Sequence, residues 1–299
     1  MSLSPRQSPA RLPQPAAMLE LIKPITWFPP MWAYLCGIVS VGVWPDNWAL
    51  VVLGVLLAGP IVCGMSQAAN DWCDRHVDAI NEPDRPIPSG RIPGRWGLWI
   101  ALAMSVLSLA VGWLLGPWGF GATVVGVLAA WAYSVEPIRA KRSGWWGPGL
   151  VGLSYEALPW FTGAAVLAAG APRFEIAAIA LLYGLGAHGI MTINDFKAIE
   201  GDRQMGIRSL PVVMGAVNAA TVAGTVMVMM QLVVVVLLVI WGAPIHAAII
   251  SAGIAVQIWA LGRWRAAPKE RAPWFNGTGV GPYVLGMMVA AHALQGLPA

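Results

Sequence analysis

The stretch that decides the fold is WALVVLGVLLAGPIVCGMSQAANDWCDRHVD, residues 48–78. It opens with an uncharged segment of about twenty residues, the length that an α-helix needs to cross the hydrocarbon core of a bilayer. The segment lacks the strict polar and apolar alternation of a barrel strand, so it predicts a helix. Three aspartates then follow at spacings of three and four residues. The stretch therefore predicts a membrane-spanning helix that ends in an acidic face.

Long apolar blocks recur along the rest of the chain. Of its 299 residues, 58% are hydrophobic and only 11% are charged, whereas a soluble globular protein has roughly 25% charged residues. The predicted fold class is all-α, a polytopic membrane protein with about nine transmembrane helices. The nine blocks run approximately over 27–45, 48–69, 97–115, 118–135, 147–168, 174–193, 213–241, 244–262 and 279–297.

The basic residues divide unequally between the connections on the two sides of these blocks. If the N-terminus is cytoplasmic, the cytoplasmic segments hold 17 of the 18 Lys and Arg residues, and only Arg173 lies outside. A bias of this kind sets the topology of membrane proteins. We therefore predict that the N-terminus and the longer loops are cytoplasmic, and the net positive charge calls for no nucleic-acid partner.

The chain ends and the cysteines complete this outline. Residues 1–17 are polar and rich in proline and lack the apolar core of a signal peptide. They predict a disordered N-terminal tail, followed by a single transmembrane domain over 18–299. Cys36, Cys63 and Cys73 show no metal-like spacing, so we interpret them as small apolar residues.

The acidic residues after the second block form the first motif. At 100° per residue, Asp71, Asp74 and Asp78 fall within about 60° on one helical face, with Asn70 one step further round. Like charges at these spacings destabilise a helix, and a divalent cation would offset that cost. Oxygen ligands of this kind suit Mg²⁺. The alternative is a solvated acidic helix end.

A second motif follows the sixth block, in NDFKAIEGDRQMGIRSLP at 194–211. Asp195 and Asp202 are seven residues apart and share a helical face, whereas Glu200 is rotated away from both. Asn194 and Asp195 repeat the pair Asn70 and Asp71 at an offset of 124 residues, or four blocks. This repetition predicts two related halves whose acidic motifs face each other.

Cations accompany both motifs on the same predicted membrane face. They are Arg85, Arg91, Arg139, Lys141, Lys197, Arg203 and Arg208. Carboxylates surrounded by Arg and Lys are typical of a site for a diphosphate bridged by Mg²⁺. Such a site stabilises the charge that develops when a C–O bond to diphosphate breaks. No nucleotide-binding glycine motif is present, which favours a lipid diphosphate as the substrate.

Several stretches resemble one known family. The pattern NDxxDxxxD at 70–78, RPIPSG at 85–90, nine apolar blocks and a second Asp-rich loop resemble the UbiA superfamily of intramembrane prenyltransferases. Within it, NEPDRPIPSGRI (81–92), YSVEPIRAKRSGWWG (133–147), GLSYEALPW (152–160) and NDFKAIEGDR (194–203) look like the chlorophyll and bacteriochlorophyll synthase branch. Ile199 departs from the DxxxD second motif usual elsewhere in the superfamily, and this departure fits that branch.

The resemblance implies roles for individual residues. The implied Mg²⁺–diphosphate motifs comprise Asn70, Asp71, Asp74 and Asp78 on one side and Asp195 and Asp202 on the other. The candidate catalytic residues are Asp71, Asp74, Asp195, Arg85 and Lys141. The candidate binding residues are Asn70, Asp78, Arg139, Lys197, Arg203, Asn194, Glu156 and Tyr155.

The resemblance also implies the substrates. The expected acceptor is the propionate of bacteriochlorophyllide a, and the donor is geranylgeranyl or phytyl diphosphate. The resemblance implies a location in the bacterial inner, photosynthetic membrane. It also allows protein partners from pigment biosynthesis or light harvesting. Alternative acceptors are chlorophyllide a, haem or a quinone precursor.

A transporter and a non-catalytic pigment carrier are the competing functional classes. Transporter acids usually lie near the bilayer midplane, whereas both acidic motifs here lie at the ends of predicted spans.

Two further polar residues lie inside apolar blocks. Glu156, beside Tyr155, lies midway along the fifth block, and intramembrane acids are usually functional. We expect a role for it in a pocket or gate. His188 lies two turns before Asn194 and is interpreted as a helix-packing hydrogen bond, with ligation of a pigment's central Mg as the alternative.

Overall fold

The computed structural model describes residues 12–297. Within that range the regular structure is helical, as predicted. The helices are α1 (Pro15–Leu21), α2 (Phe28–Ser40), α3 (Trp48–Leu56), α4 (Gly64–Asn81), α5 (Trp96–Leu114), α6 (Gly116–Ser134), α7 (Trp146–Gly152), α8 (Leu158–Ala168), α9 (Phe174–Ile193), α10 (Ile199–Gln204), α11 (Leu210–Met214), α12 (Ala216–Ile240), α13 (Pro244–Ala266), α14 (Pro268–Thr278) and α15 (Val280–Gln295).

Each of the nine predicted blocks contains one of the longer helical segments. Six segments in the described range are long and apolar enough to cross a bilayer: Trp48–Asn81, Trp96–Leu114, Trp146–Ala168, Phe174–Lys197, Ala216–Ile240 and Pro244–Ala266. Of the other three, α2 and α15 have 13 and 16 residues, and α6 has 19 residues diluted by Gly, Trp and Tyr. The prediction of a polytopic helical membrane protein is confirmed, with a span count that depends on these three.

The predicted N-terminal tail ends earlier than residue 17. Residues 1–11 lie outside the described residues, whereas helix α1 begins at Pro15 and buries Ala17 and Leu21. Arg91 forms an ion pair with Glu20 on this helix. The apolar face of α1 packs in a cluster with residues of α4 and α5, and the ion pair attaches α1 to the loop that follows α4.

Two long helices contain π-helical turns where a proline interrupts the hydrogen-bond ladder. A proline has no N–H, so the carbonyl four residues earlier loses its usual partner. Pro60 lies inside the π segment Leu57–Cys63, between α3 and α4. Pro159 follows the π segment Leu153–Ala157, between α7 and α8. Each π turn accommodates one extra residue and so re-aims the side chains around it.

Helices α2 and α8 approach closely through glycines. A Cβ added at Gly37 would lie 2.1 Å from the carbonyl oxygen of Trp160, and one added at Gly163 would lie 2.2 Å from that of Tyr34. Small residues at such crossings are a common means of helix association in membranes, where lipid gives no hydrophobic drive.

Replacing Gly37 by Ala is therefore expected to destabilise the protein by about 1–3 kcal/mol, the usual cost of overpacking. The melting temperature in detergent should fall by several degrees. Gly121→Ala is the matched control, because Gly121 in α6 has nothing within 4 Å of an added Cβ. Equal melting temperatures for the two variants would contradict the close approach of α2 and α8.

The connections after α6 and α10 pair through their backbones. The Gly144 N–H donates to the carbonyl of Arg208 at 2.9 Å, and the Arg208 N–H donates to the carbonyl of Arg142 at 3.1 Å. A Cβ at Gly144 would lie 2.5 Å from the backbone nitrogen of Leu210, so this approach requires glycine. The pairing links the two halves of the chain at the end of the bundle where both acidic motifs lie.

Candidate active site

A cavity of 960 Å³ lies between the ends of α4, α6, α7 and α9. Residues of both acidic motifs and most of the predicted cations line its polar end: Asn70, Asp74, Asp78, Arg85, Arg139, Lys141, Asn194, Asp195, Lys197 and Asp202. Its other end lies among apolar side chains that include Leu57, Ala58, Ala122 and Leu158. The two motifs, 124 residues apart in sequence, thus meet at one cavity.

Asp74 lies beside two cations. Its Oδ1 lies 2.5 Å from Lys141 Nζ and 3.3 Å from a terminal nitrogen of Arg139. All three side chains line the cavity. Lys141 is 9% exposed, and burial lowers the pKa of its ammonium against the opposing effect of the Asp74 carboxylate.

Asp71 and Asp78 share one guanidinium. A terminal nitrogen of Arg85 lies 2.9 Å from Asp78 Oδ2 and 3.5 Å from Asp71 Oδ1. Asp71 is 2% exposed and also accepts a hydrogen bond of 2.7 Å from Lys23 Nζ. Its second oxygen, Oδ2, has no hydrogen-bond partner among the described residues.

One of the cations beside each of Asp71 and Asp74 has an unusual backbone conformation. Lys23 has φ 45° and Arg139 has φ 37°. Residues other than glycine rarely adopt this left-handed region, and such residues cluster at functional sites. In each case the strained residue presents its charge to a carboxylate of α4.

The second motif follows α9 as the short 3₁₀ segment Asn194–Lys197 and then α10. Asp202 Oδ2 accepts a hydrogen bond of 2.7 Å from the Ser209 hydroxyl. Burial raises the pKa of Asp202, and the hydrogen bond from Ser209 opposes this rise. Ser209 adjoins the paired backbone at Arg208, so the loop pairing also positions the Asp202 carboxylate.

Three candidate site residues do not line the cavity. Asp71 points to Lys23, Glu156 is buried beside the cavity-lining Tyr155, and Arg203 is exposed beside the cavity-lining Asp202. Adjacent residues on a helix point roughly 100° apart, so these three side chains face elsewhere although a neighbour of each lines the cavity. Glu156 and Arg203 were expected to contact the pocket directly, and the structure shows that they do not line it.

Two other residues were also interpreted from sequence. The backbone of Trp145 lies within hydrogen-bond reach of the His188 ring, so the packing hydrogen bond of His188 stays a prediction. Its ring lies 5.1 Å, centroid to centroid, from that of Trp145. Cys63 is more than an apolar filler, because its sulfur contacts Thr26 and the Tyr155 hydroxyl.

Several residues at the site were not predicted from the sequence. Lys23 was counted only as a basic residue of the N-terminal segment, yet it contacts Asp71. Thr26, Cys63, Ser66 and Gln67 line the cavity beside Tyr155. One signal could have identified them: polar residues recur at helical spacing along one face of the helix, at Cys63, Gln67, Asn70 and Asp74.

The side chains at the polar end fit a hard divalent cation such as Mg²⁺. They offer carboxylate oxygens from both motifs, on Asp74, Asp78, Asp195 and Asp202. Within residues 12–297, no three acid, His or Cys side chains converge into a ready-made metal cage. Mg²⁺ usually takes one or two carboxylates and completes its shell with phosphate oxygens and water, so such an arrangement suits a metal that binds together with a diphosphate.

Comparison with known proteins places this geometry in a family. The model of the UbiA prenyltransferase family matches residues 27–280. A Cereibacter sphaeroides protein named bacteriochlorophyll synthase 33 kDa chain is 71% identical, over 99% of each chain. The chloroplastic chlorophyll synthase of Arabidopsis thaliana is 36% identical, over 80% of this chain and 64% of that protein.

A solved structure shares the fold. It is a UbiA homolog from Archaeoglobus fulgidus bound to DMAPP and Mg²⁺, and it superposes with a TM-score of 0.70 at 20% identity, over 93% of this chain and 98% of that one. The family match, the 71% identical relative and the apolar helices agree. The chain is an integral membrane protein that belongs to the UbiA prenyltransferase family.

Proposed function

We propose that this chain esterifies the propionate of bacteriochlorophyllide a with the geranylgeranyl group of geranylgeranyl diphosphate, or with phytyl from phytyl diphosphate. The observation that carries the proposal is that one cavity joins a charged end to an apolar end. A prenyl diphosphate has the same division, with an anionic head and a long hydrocarbon chain. The 71% identical relative named bacteriochlorophyll synthase supports the choice of acceptor.

The charged end would hold the diphosphate. Arg139 and Lys141 line the cavity on one side and Arg85 on another, and Arg side chains suit bidentate contacts with phosphate oxygens. Asn70, Asp74 and Asp78, together with Asp195 and Asp202, would hold Mg²⁺. When bound, Mg²⁺ would neutralise the negative charge that builds up on the diphosphate as it leaves.

The reaction exchanges one C–O bond for another. A lone pair of the carboxylate oxygen forms a bond to C1 of the prenyl group, and the electron pair of the C1–O bond leaves with the diphosphate. A carboxylic acid is already ionised at neutral pH, so no proton has to move and no general base is needed. Arg139 and Lys141 stabilise the leaving group more as its charge grows, which lowers the barrier.

The apolar end keeps the reacting carbon away from water. An allylic centre with carbocation character would also react with water, so the cavity walls have to exclude it. Leu57, Ala58, Ala122 and Leu158 supply such walls. A C20 chain and a chlorin macrocycle are both soluble in the bilayer, which supports a site that opens within a membrane protein.

Location and partners belong to the same proposal. The 17-to-1 division of basic residues supports a cytoplasmic N-terminus and a cytoplasmic charged end. We place the protein in the bacterial inner, photosynthetic membrane, where its pigment substrate would be made. Pigment-biosynthesis and light-harvesting proteins are its expected neighbours there.

The proposal is tested by offering the purified protein four acceptors together with Mg²⁺ and geranylgeranyl diphosphate. These acceptors are bacteriochlorophyllide a, chlorophyllide a, protohaem and homogentisate. We expect esterified bacteriochlorophyllide a alone, and no product after EDTA treatment. Preferred esterification of chlorophyllide a would favour the function named in the Arabidopsis relative. Prenylated haem or homogentisate would exclude a pigment synthase.

A further inference from the structure

A small set of uncharged polar side chains lies on the cavity wall between its charged and apolar ends. It comprises Thr26, Cys63, Ser66, Gln67 and Tyr155, here called the Tyr155 cluster, and all five line the cavity. Gln67 Nε2 donates to the Tyr155 hydroxyl at 3.0 Å, and Cys63 Sγ lies 3.2 Å from the same hydroxyl. The Thr26 hydroxyl lies 3.3 Å from Cys63 Sγ.

The two π-helical segments meet at this cluster. Cys63 is the last residue of the segment Leu57–Cys63, and Tyr155 is the middle residue of Leu153–Ala157. Irregular turns of this kind are less stable than a regular helix and often occur at functional sites. Two of them converge on one pair of side chains in contact with the cavity, so both re-aim polar groups toward the same place.

The position of the cluster matches the place of the attacking group. Gln67 and Ser66 precede Asn70 by three and four residues on α4, a rise of roughly 5 Å along the helix. If the diphosphate lies at Asn70 and Asp74, the prenyl C1 lies on the apolar side of it. A carboxylate that attacks C1 from the side opposite the leaving group lies about 3 Å further on. That place is beside Gln67 and Tyr155.

The cluster also has donors to spare. The Tyr155 oxygen accepts hydrogen bonds from the Gln67 amide and from the Cys63 thiol, and neither contact uses the hydrogen of its own O–H. The Gln67 amide uses one N–H for Tyr155 and keeps a second. An ionised carboxylate in apolar surroundings is costly unless it is hydrogen-bonded. A phenol and an amide 3.0 Å apart can donate to the two oxygens of one carboxylate.

We propose that Tyr155 and Gln67 bind the carboxylate of the acceptor through the phenol O–H and the second amide N–H, and thereby aim it at C1. This inference rests on the proposed function and names the residues that recognise the acid. Neutral donors suit this task, because they hold the carboxylate without a counter-ion that would lower its nucleophilicity. Arg139 and Lys141 remain committed to Asp74 and the diphosphate.

The test compares the binding of bacteriochlorophyllide a with that of its propionate methyl ester, which has lost the anionic carboxylate. Affinities are measured by quenching of the protein's tryptophan fluorescence, without turnover. The wild type should prefer the acid. Tyr155→Phe should weaken binding of the acid by about tenfold to a hundredfold, the usual worth of one hydrogen bond to a charged group, and leave the ester unaffected. Gln67→Met should act in the same direction.

Tyr183→Phe is the matched control, since Tyr183 is a buried tyrosine that does not line the cavity. It should bind acid and ester like the wild type, and all three variants should bind geranylgeranyl diphosphate unchanged. Equal losses for acid and ester in Tyr155→Phe would indicate packing and overturn the inference, as would no loss at all. A wild-type protein that binds neither pigment form would instead overturn the proposed function and this inference with it.

Discussion

Replacing Asp74 by Asn is expected to lower kcat/KM for pigment esterification by at least a hundredfold, while the protein stays folded. Asp74 lies on the cavity wall and contacts both Lys141 and Arg139. The amide keeps the shape of the side chain but removes the charge that orders these cations and that would bind a metal. Losing one preorganised electrostatic contact at a reacting centre typically costs about 10²–10³ in rate.

Asp84→Asn makes the same chemical change in the loop that follows α4. Asp84 is exposed and does not line the cavity, so this variant should keep the wild-type rate. Initial rates at saturating Mg²⁺ and the melting temperature in detergent are measured for both. If Asp74→Asn turns over at the wild-type rate, Asp74 has no part in the chemistry and the charged end has another use.

Lys141→Met is expected to lower kcat/KM for the prenyl diphosphate by about a hundredfold. Lys141 is nearly buried, lines the cavity and lies 2.5 Å from Asp74. Methionine preserves much of the apolar stem but supplies no positive charge to the departing diphosphate. Because charge on the leaving group grows toward the transition state, kcat should fall more than the affinity for the donor.

Lys269→Met is the control for Lys141→Met. Lys269 is half-exposed and forms an ion pair of 3.0 Å with Glu200, away from the cavity. Its loss should leave both kinetic parameters within about twofold, because exposed ion pairs contribute little. A Lys141→Met enzyme with a normal kcat and a raised KM would show that Lys141 only assists binding, and the leaving-group role would pass to Arg85 or Arg139.

Much of the fold could be predicted from the sequence, because a membrane span appears there as an uninterrupted apolar block of known length. All nine predicted blocks contain helices, and their ends agree within several residues, except that the helix of the second block continues to Asn81. The main differences come from prolines. Pro60 and Pro159 interrupt the hydrogen-bond ladder inside otherwise continuous helices, and an apolar pattern alone does not say how the backbone accommodates them.

The location of the site could be predicted from the sequence, but the residues that line it were harder to predict. The repeat of Asn70 and Asp71 at Asn194 and Asp195 pointed to two motifs, and one cavity contains residues of both. Which residues of a motif face the cavity depends on the rotation of the helix. Asp71, Glu156 and Arg203 are each adjacent to a lining residue and face away from the cavity, a difference of one residue that spacing arguments do not resolve.

Contacts between residues that are distant in the sequence could not be predicted from the sequence. The Lys23 contact with Asp71 spans 48 residues, and that of Gln67 with Tyr155 spans 88. The backbone pairing of Gly144 with Arg208 joins two irregular loops. Each depends on helices that pack side by side, and a single sequence without homologues contains no signal for such pairs.

The left-handed backbone at Lys23 and Arg139 has a consequence for protein engineering. Glycine adopts φ 45° or 37° without the steric cost of roughly 1–2 kcal/mol that a side chain incurs. A selection for thermal tolerance alone would therefore favour glycine at both positions. Each such replacement would also remove a cation from an α4 carboxylate, so variants evolved for stability would drift toward inactivity at these two positions.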